Sequence, residues 1–379
     1  EYVRLYHNRV SVLTAASQRA ENVQEIETFI ENDSHLKAFC EFMTLKQANH
    51  QAPWYEWTNF EMDKDTLFAW KFIQFHFFTQ WAEIKQYANS RGVKLIGDMP
   101  IYVSLDSADV WSNKELFLLD ENNRPTSVAG VPPDYFAQDG QLWGNPIYNW
   151  DKMRETNFSW WRERMTHMFS LFDSVRIDHF RGIESYWAVP GTAKTAREGK
   201  WEKGPGMELV EAIRQIQGKR SLIAEDLGDI TQEVIDLVNN SGFPGMRVFQ
   251  FAFMGGDTPH LPHNYPNNCV AYTGTHDNNT LLGYLWELDP QTRRHMLKYC
   301  GYTDENWEKG YDAILRTMFA SHAGLVVLPI QDLLGYGSDT RLNIPGKADG
   351  NWQYRVTEEQ LNSIDREKFK QLNELYKRT

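Results

Sequence analysis

The chain has 379 residues, 41% of them hydrophobic and 14% aromatic, with a formal net charge of −12 at pH 7. This balance describes a globular protein with a large core in one big domain or two ordinary ones, and no apolar run approaches the roughly 18 residues a membrane helix needs. The negative field disfavours nucleic acid and anionic membrane surfaces as partners and is indifferent to a neutral ligand.

The opening residues, EYVRLYHNRV, carry no Met and no signal-peptide pattern, which reads as a chain that begins inside a longer protein. Residues 1–60 are helical and polar and read as a helical subdomain or insertion; residues 61–379 read as the main domain, a barrel with inserted loops. A helical period covers 65–90, then a β-branched run, VKLIGDMPIYV, covers 93–103. The alternation continues with a helix over 159–172, a strand over 174–180, a helix over 206–217 and a strand over 221–228. A helix over 231–240 and strands over 246–253 and 269–277 follow, then a helix over 304–321 and a strand over 324–335. The tail, 357–379, reads as one amphipathic helix. Cys40, Cys269 and Cys300 form no CxxC or Cys/His cluster, so neither a disulfide framework nor structural zinc is indicated and the compartment reads as reducing cytoplasm.

Strand and helix in alternation imply a parallel sheet. With no GxGxxG or GxxxxGK[ST] after any strand, the open doubly wound sheet loses its usual signatures. The expected fold is therefore α/β, a (β/α)8 TIM barrel with helical insertions that lacks its first two strands in this chain.

Polar residues gather at the strand ends: Asp98, Arg176 with Asp178, Glu225 with Asp226, and His276 with Asp277. Singly, each acid could be a helix cap or a loop ion pair. Together, on a barrel, they converge on one bowl. Two chemistries use such a bowl: carboxylates around a divalent metal, and paired carboxylates for glycoside chemistry. Arg176, two residues before Asp178 on the same strand face, favours an ionised nucleophile, whereas beside a metal it would compete with the ion. The segment 130–150 reads as a long turn-rich loop in which Tyr135, Phe136, Trp143, Tyr148 and Trp150 alternate with Asp134, Gln141 and Asn145. Rings among amides and carboxylates match the apolar faces and hydroxyl rims of sugars, although such a loop can also be packed down by its own rings. The segment 333–355 has the same make-up.

The runs SVRIDHFRG, IAEDLG and YTGTHDNNT resemble signature regions of the α-amylase clan. GDMPIYVSLDSADVW, GVPPDYFAQDGQLWGNP, GFPGMRVFQFAF and RLNIPG resemble specifically the amylomaltases, or 4-α-glucanotransferases. The likeness runs from about residue 90 to 355; the family's first-strand motif is not found here. It implies a retaining 4-α-glucanotransferase acting on maltooligosaccharides through a covalent glycosyl-enzyme, with no cofactor and no metal. In that reading Asp178 is the nucleophile, Glu225 the acid/base, and Asp277 the group that binds the 2- and 3-hydroxyls of the distorted sugar. Arg176 and His276 flank them, Asp134, Gln141 and Trp143 belong to the loop over bound glucan, and Asn343 follows the last strand. Glu225 then needs a raised pKa, much of which the charges of Asp178 and Asp277 are expected to supply, while Asp226 is structural. The alternatives are an α-glucan hydrolase of the same clan, a metal-dependent barrel lyase, and a non-catalytic glucan-binding protein.

Overall fold

Three helices open the chain: α1 (Tyr2–Ser17), α2 (Val23–Glu31) and α3 (Ser34–Ala48). They lean on α4 (Lys64–Ser90), whose first turn is capped by Asp63 accepting from the Thr66 amide at 2.8 Å. Ile30, Leu36, Cys40 and Trp70 form the apolar centre of this group. Lys71, buried among them, pairs with Glu27 at 2.5 Å. The computed structural model describes residues 2–133, 138–256, 258–304, 306–347 and 349–378. Contacts divide the chain into two units, residues 1–241 and 242–379, each described by itself below.

In the first unit, β1 (Ile96–Met99) follows α4. Gly97 is required there, because a Cβ would lie 2.2 Å from the Phe172 ring. After the short helix α5 (Ala108–Ser112) come β2 (Ser127–Val131), β3 (Gln141–Pro146), α6 (Trp150–Glu155), α7 (Ser159–Leu171) and β4 (Ser174–Ile177). β5 (Ser185–Pro190), β6 (Lys200–Lys203), α8 (Met207–Gln217), β7 (Ser221–Ala224) and α9 (Gln232–Ser241) complete the unit. β1, β4 and β7 pair in parallel in that order, with Asp98 opposite Arg176 and Arg176 opposite Ile223. The connecting helices cover this sheet with apolar stripes at helical spacing: Leu209, Val210, Ala212 and Ile213 of α8, and Val234, Leu237 and Val238 of α9. Each of the Leu, Ile and Val side chains, fully buried, contributes roughly 1.5–3 kcal/mol.

The expected parallel strands are present as shorter segments, since each β-branched run continues past its last sheet hydrogen bond. The segment 130–150 differs from its expectation as a loop. Its two ends belong to β2 and β3 of an antiparallel sheet ordered β3, β2, β5, β6. Tyr148 and Trp150, expected among ligand-facing rings, are core residues at 1% and 6% exposure.

The second unit holds β8 (Gly245–Val248), β9 (Cys269–Tyr272), α10 (Leu281–Glu287), α11 (Pro290–Tyr299), α12 (Tyr311–Ala320), β10 (Leu325–Val327) and the short α13 (Ile330–Leu334). β9 lies between β8 and β10, all parallel. Ile314, Leu315, Met318 and Phe319 of α12 present one buried face, and Leu281, Leu285 and Met296 join its core. The tail is two helices, α14 (Glu358–Ser363) and α15 (Arg366–Leu375), rather than one, because Asp365 caps α15 by accepting from the Lys368 amide at 3.0 Å.

Candidate active site

The first unit brings together the C-terminal ends of β1, β4 and β7. Arg176 at the end of β4 is 9% exposed and donates through Nε and Nη2 to the two oxygens of Asp98 on β1, at 2.8 and 2.7 Å. Its Nη2 also donates to Oδ1 of Asp178 at 2.9 Å. Burial opposes the guanidinium's charge, but the Asp98 hydrogen bonds and the charges of Asp98, Asp178 and Glu225 outweigh it, so its pKa lies above the ordinary value. The parallel ladder runs on past the strand ends, the Asp178 amide donating to the Met99 carbonyl at 2.9 Å and the Glu225 amide to that of Ile177 at 3.1 Å. These two bonds fix the backbone on which the acids stand.

Glu225 is buried. Its Oε2 accepts from the His179 amide at 2.7 Å and its Oε1 from the Leu227 amide at 2.8 Å. Burial, and after it the negative charge of Asp178, pushes its pKa up to about 7, against the pull of the two amides and Arg176. The lift comes first from desolvation and then from Asp178, one of the two charges expected to supply much of it. Asp178 itself is 43% exposed, open to a ligand.

His179 follows Asp178 in the left-handed region, φ 51° and ψ 48°, and its amide donates to Glu225. Burial, then the charge of Arg181, lowers its ring pKa to about 4, so the ring is neutral near pH 7. The Trp143 ring meets it edge-on at 4.8 Å. Trp143 and Gln141 lie two apart on β3, hence on one face, and the indole N–H donates to Oε1 of Gln141 at 3.1 Å. Trp143 is 37% exposed. The structure thus gathers Arg176, Asp178, Glu225, Trp143 and Gln141 in one unit. Asp134, with Tyr135 and Phe136, lies outside the described residues.

The second unit, by itself, groups His276 and Asn343 around Asp277, in the segment after β9. Asn343 donates through Nδ2 to its Oδ1 at 2.6 Å, and His276 Nε2 is 3.4 Å from its Oδ2. Arg341 donates to the Asp277 carbonyl at 2.7 Å and to that of Asn343 at 2.8 Å. The Trp352 ring lies 5.2 Å from that of His276 and is 51% exposed.

Sequence reasoning placed Asp98 among the strand-end groups without giving it a role, and did not assign His179, Arg341 or Trp352. For Asp98 a signal existed: IGDM and SVRI align as adjacent parallel strands that put an acid opposite Arg176. His179 acts through its backbone, which no residue type announces.

The family model described as 4-alpha-glucanotransferase matches residues 1–361. A 4-alpha-glucanotransferase of Streptococcus pneumoniae is 41% identical over 398 aligned positions, covering 100% of this chain and 78% of that protein. That of Thermus thermophilus is 44% identical over 341, covering 85% and 68%. Among solved structures, the amylomaltase of Streptococcus agalactiae in complex with acarbose superposes with a TM-score of 0.91 at 35% identity, covering 100% of this chain and 80% of that one. At 18% identity the amylomaltase of Corynebacterium glutamicum shares the fold, with a TM-score of 0.77. With a matching family model that reaches from residue 1 to 361 and a relative aligned over its whole length, the chain belongs to the 4-alpha-glucanotransferase family, with the α/β, (β/α)8-barrel type of fold of the amylomaltases.

Proposed function

We propose that the protein transfers α-1,4-glucan segments between maltooligosaccharides by double displacement, with Asp178 as nucleophile and Glu225 as acid/base. The observation that carries this reading is the contrast between two neighbouring carboxyl groups. Glu225 is buried and carries a pKa near 7, so near neutrality a proton is at hand, while Asp178 is ion-paired to Arg176 and open to solvent.

In the first half-reaction Glu225 gives its proton to the glycosidic oxygen as the bond to the anomeric carbon breaks. An Asp178 oxygen bonds that carbon from the opposite face, and the shortened glucan leaves. In the second, Glu225, now a carboxylate, takes the proton from an acceptor sugar's 4-hydroxyl as its oxygen displaces Asp178. Two inversions retain the α configuration. Asp277 would hold the 2- and 3-hydroxyls of the distorted sugar, its carboxylate oriented by Asn343 and His276. Trp143 and Gln141, side by side on β3, would stack and hydrogen-bond the glucan, together with Asp134, and exclude water so that a sugar hydroxyl is the acceptor. A relative's structure with acarbose supports a saccharide-binding site.

The metal-dependent lyase reading is disfavoured by the guanidinium that spans Asp98 and Asp178, where a cation would have to sit. The three cysteines are free thiols, Cys40 and Cys269 buried, which suits the cytoplasmic placement we propose.

Incubation with maltotriose tests transfer against hydrolysis. Chromatography of the products is expected to show maltooligosaccharides longer than three units alongside glucose, unchanged by chelator. Shortening alone would establish a hydrolase. Asp178→Asn is expected to lower kcat by at least ~10³-fold and spare glucan binding.

A further inference from the structure

The segment 273–281, which carries His276 and Asp277, is held at both ends by one carboxylate. Asp332, on α13, is 1% exposed. Its Oδ2 accepts from the Thr273 hydroxyl at 2.5 Å and its Oδ1 from the Leu281 amide at 2.8 Å. Thr273 is the first residue after β9 and Leu281 the first of α10, so the two bonds close the segment like a clasp. The preceding residue, Gln331, is also buried and donates to the Thr340 carbonyl at 3.0 Å, next to Arg341. Arg341 and Asn343 in turn hold the backbone and side chain of Asp277. One short helix thus fastens both segments that meet at Asp277.

The chemistry of the clasp is specific. Two donors converge from opposite ends of a segment, and a carboxylate alone among side chains of this length presents two acceptor oxygens. Burial raises the pKa of Asp332 to about 6, so the charge is retained at neutrality in spite of its surroundings. Packing alone would be better served by an apolar residue of similar size. Within the clasp the segment is further set by Gln250, which donates to the Asn279 carbonyl at 2.8 Å. Gln250 passes so close that a Cβ on Gly274 would lie 2.5 Å from its Nε2.

We propose that Asp332 is a positioning residue for glucan binding: through Thr273 and Leu281 it holds the backbone that presents Asp277 to the sugar. This rests on the proposed role of Asp277. The test is a double-mutant cycle read by calorimetric titration of maltotetraose, in an Asp178→Asn background so that nothing turns over. Thr273→Val and Asp332→Ala are each expected to weaken binding about tenfold, one charged hydrogen bond's worth. With Asp277→Asn already present, neither should weaken it further. Equal losses with and without Asp277 would make Asp332 a merely structural residue and overturn the proposal, as would unchanged affinity in both variants. If Asp277→Asn alone leaves affinity unchanged, the role of Asp277 falls, and the clasp's function with it. Thr273→Val carries the same comparison should Asp332→Ala fail to fold.

Discussion

Glu225 pits two requirements of one side chain against each other. As an acid it must be protonated in the free enzyme, and burial with the nearby Asp178 charge brings its pKa to about 7. Consequently kcat/KM is expected to fall about tenfold per pH unit above 7, and a flat profile from pH 7 to 9 would remove Glu225 from the acid's role. The same shift destabilises the fold. Because the folded pKa is raised, the ionised form costs stability at high pH, nothing below the unfolded value near 4.5, and roughly 3 kcal/mol once pH exceeds 7. Glu225→Gln removes that cost but turns an amide NH₂ towards one of two backbone donors, His179 or Leu227, a conflict worth about 1–3 kcal/mol at every pH. The variant is therefore expected to melt below the parent at pH 4.5 and to gain on it by several degrees between pH 5 and 8. Thermal melts across that range check the slope, and parallel curves would show that Glu225 is not the group that titrates.

At the scale of elements, the site depends on register between β1 and β4. Asp98 faces Arg176 across the parallel pair and takes two of its hydrogen bonds, which leaves Nη2 aimed at Asp178. Asp98→Asn keeps the shape but removes the charge. Because the Asp98 side chain is 47% exposed, the expected stability cost is at most ~1 kcal/mol. Arg176 freed from its fork should lower kcat about tenfold while KM changes little; initial rates of maltotriose disproportionation measure both, and an unaltered kcat would confine Asp98 to structure. The strands bearing these groups were legible because each is a β-branched run that ends in charge, and that pattern located Asp178 and Glu225. β3 was not legible. QLWGNP carries Gly and Pro, Gly144 stands at φ +77°, and its partner β2 ends at Val131, well before β3 begins at Gln141, so no two-residue turn signal links them. The charged edge strand KWEK of β6 was equally silent, for its exposed side chains show no apolar alternation. Asp332 escaped because LPIQDLLG reads as one apolar strand running into a loop, whereas Pro329 ends β10's run and the acid sits on a short helix.

For the whole molecule the governing quantity is charge. Fifty-one acidic against thirty-nine basic residues leave a net −12, yet the proposed substrate is uncharged and the groups meant to handle it are largely paired internally, Arg176 with two acids and Asp277 with Asn343. A neutral glucan feels no long-range field, and buried or partly buried pairs are little screened by salt. kcat/KM for maltotriose is accordingly expected to stay within about twofold from 20 to 500 mM NaCl. A maltooligosaccharide whose reducing-end glucose is oxidised to a carboxylate at C6 keeps its pyranose ring, gains one negative charge and is repelled at low ionic strength. Its KM should fall several-fold over the same range as the Debye length shrinks from about 20 to about 4 Å. Initial-rate assays with the two substrates in parallel separate the cases: equal salt dependence would mean that the field does not reach the bound sugar, and a strong dependence for the neutral substrate would place an exposed ion pair on the path of binding.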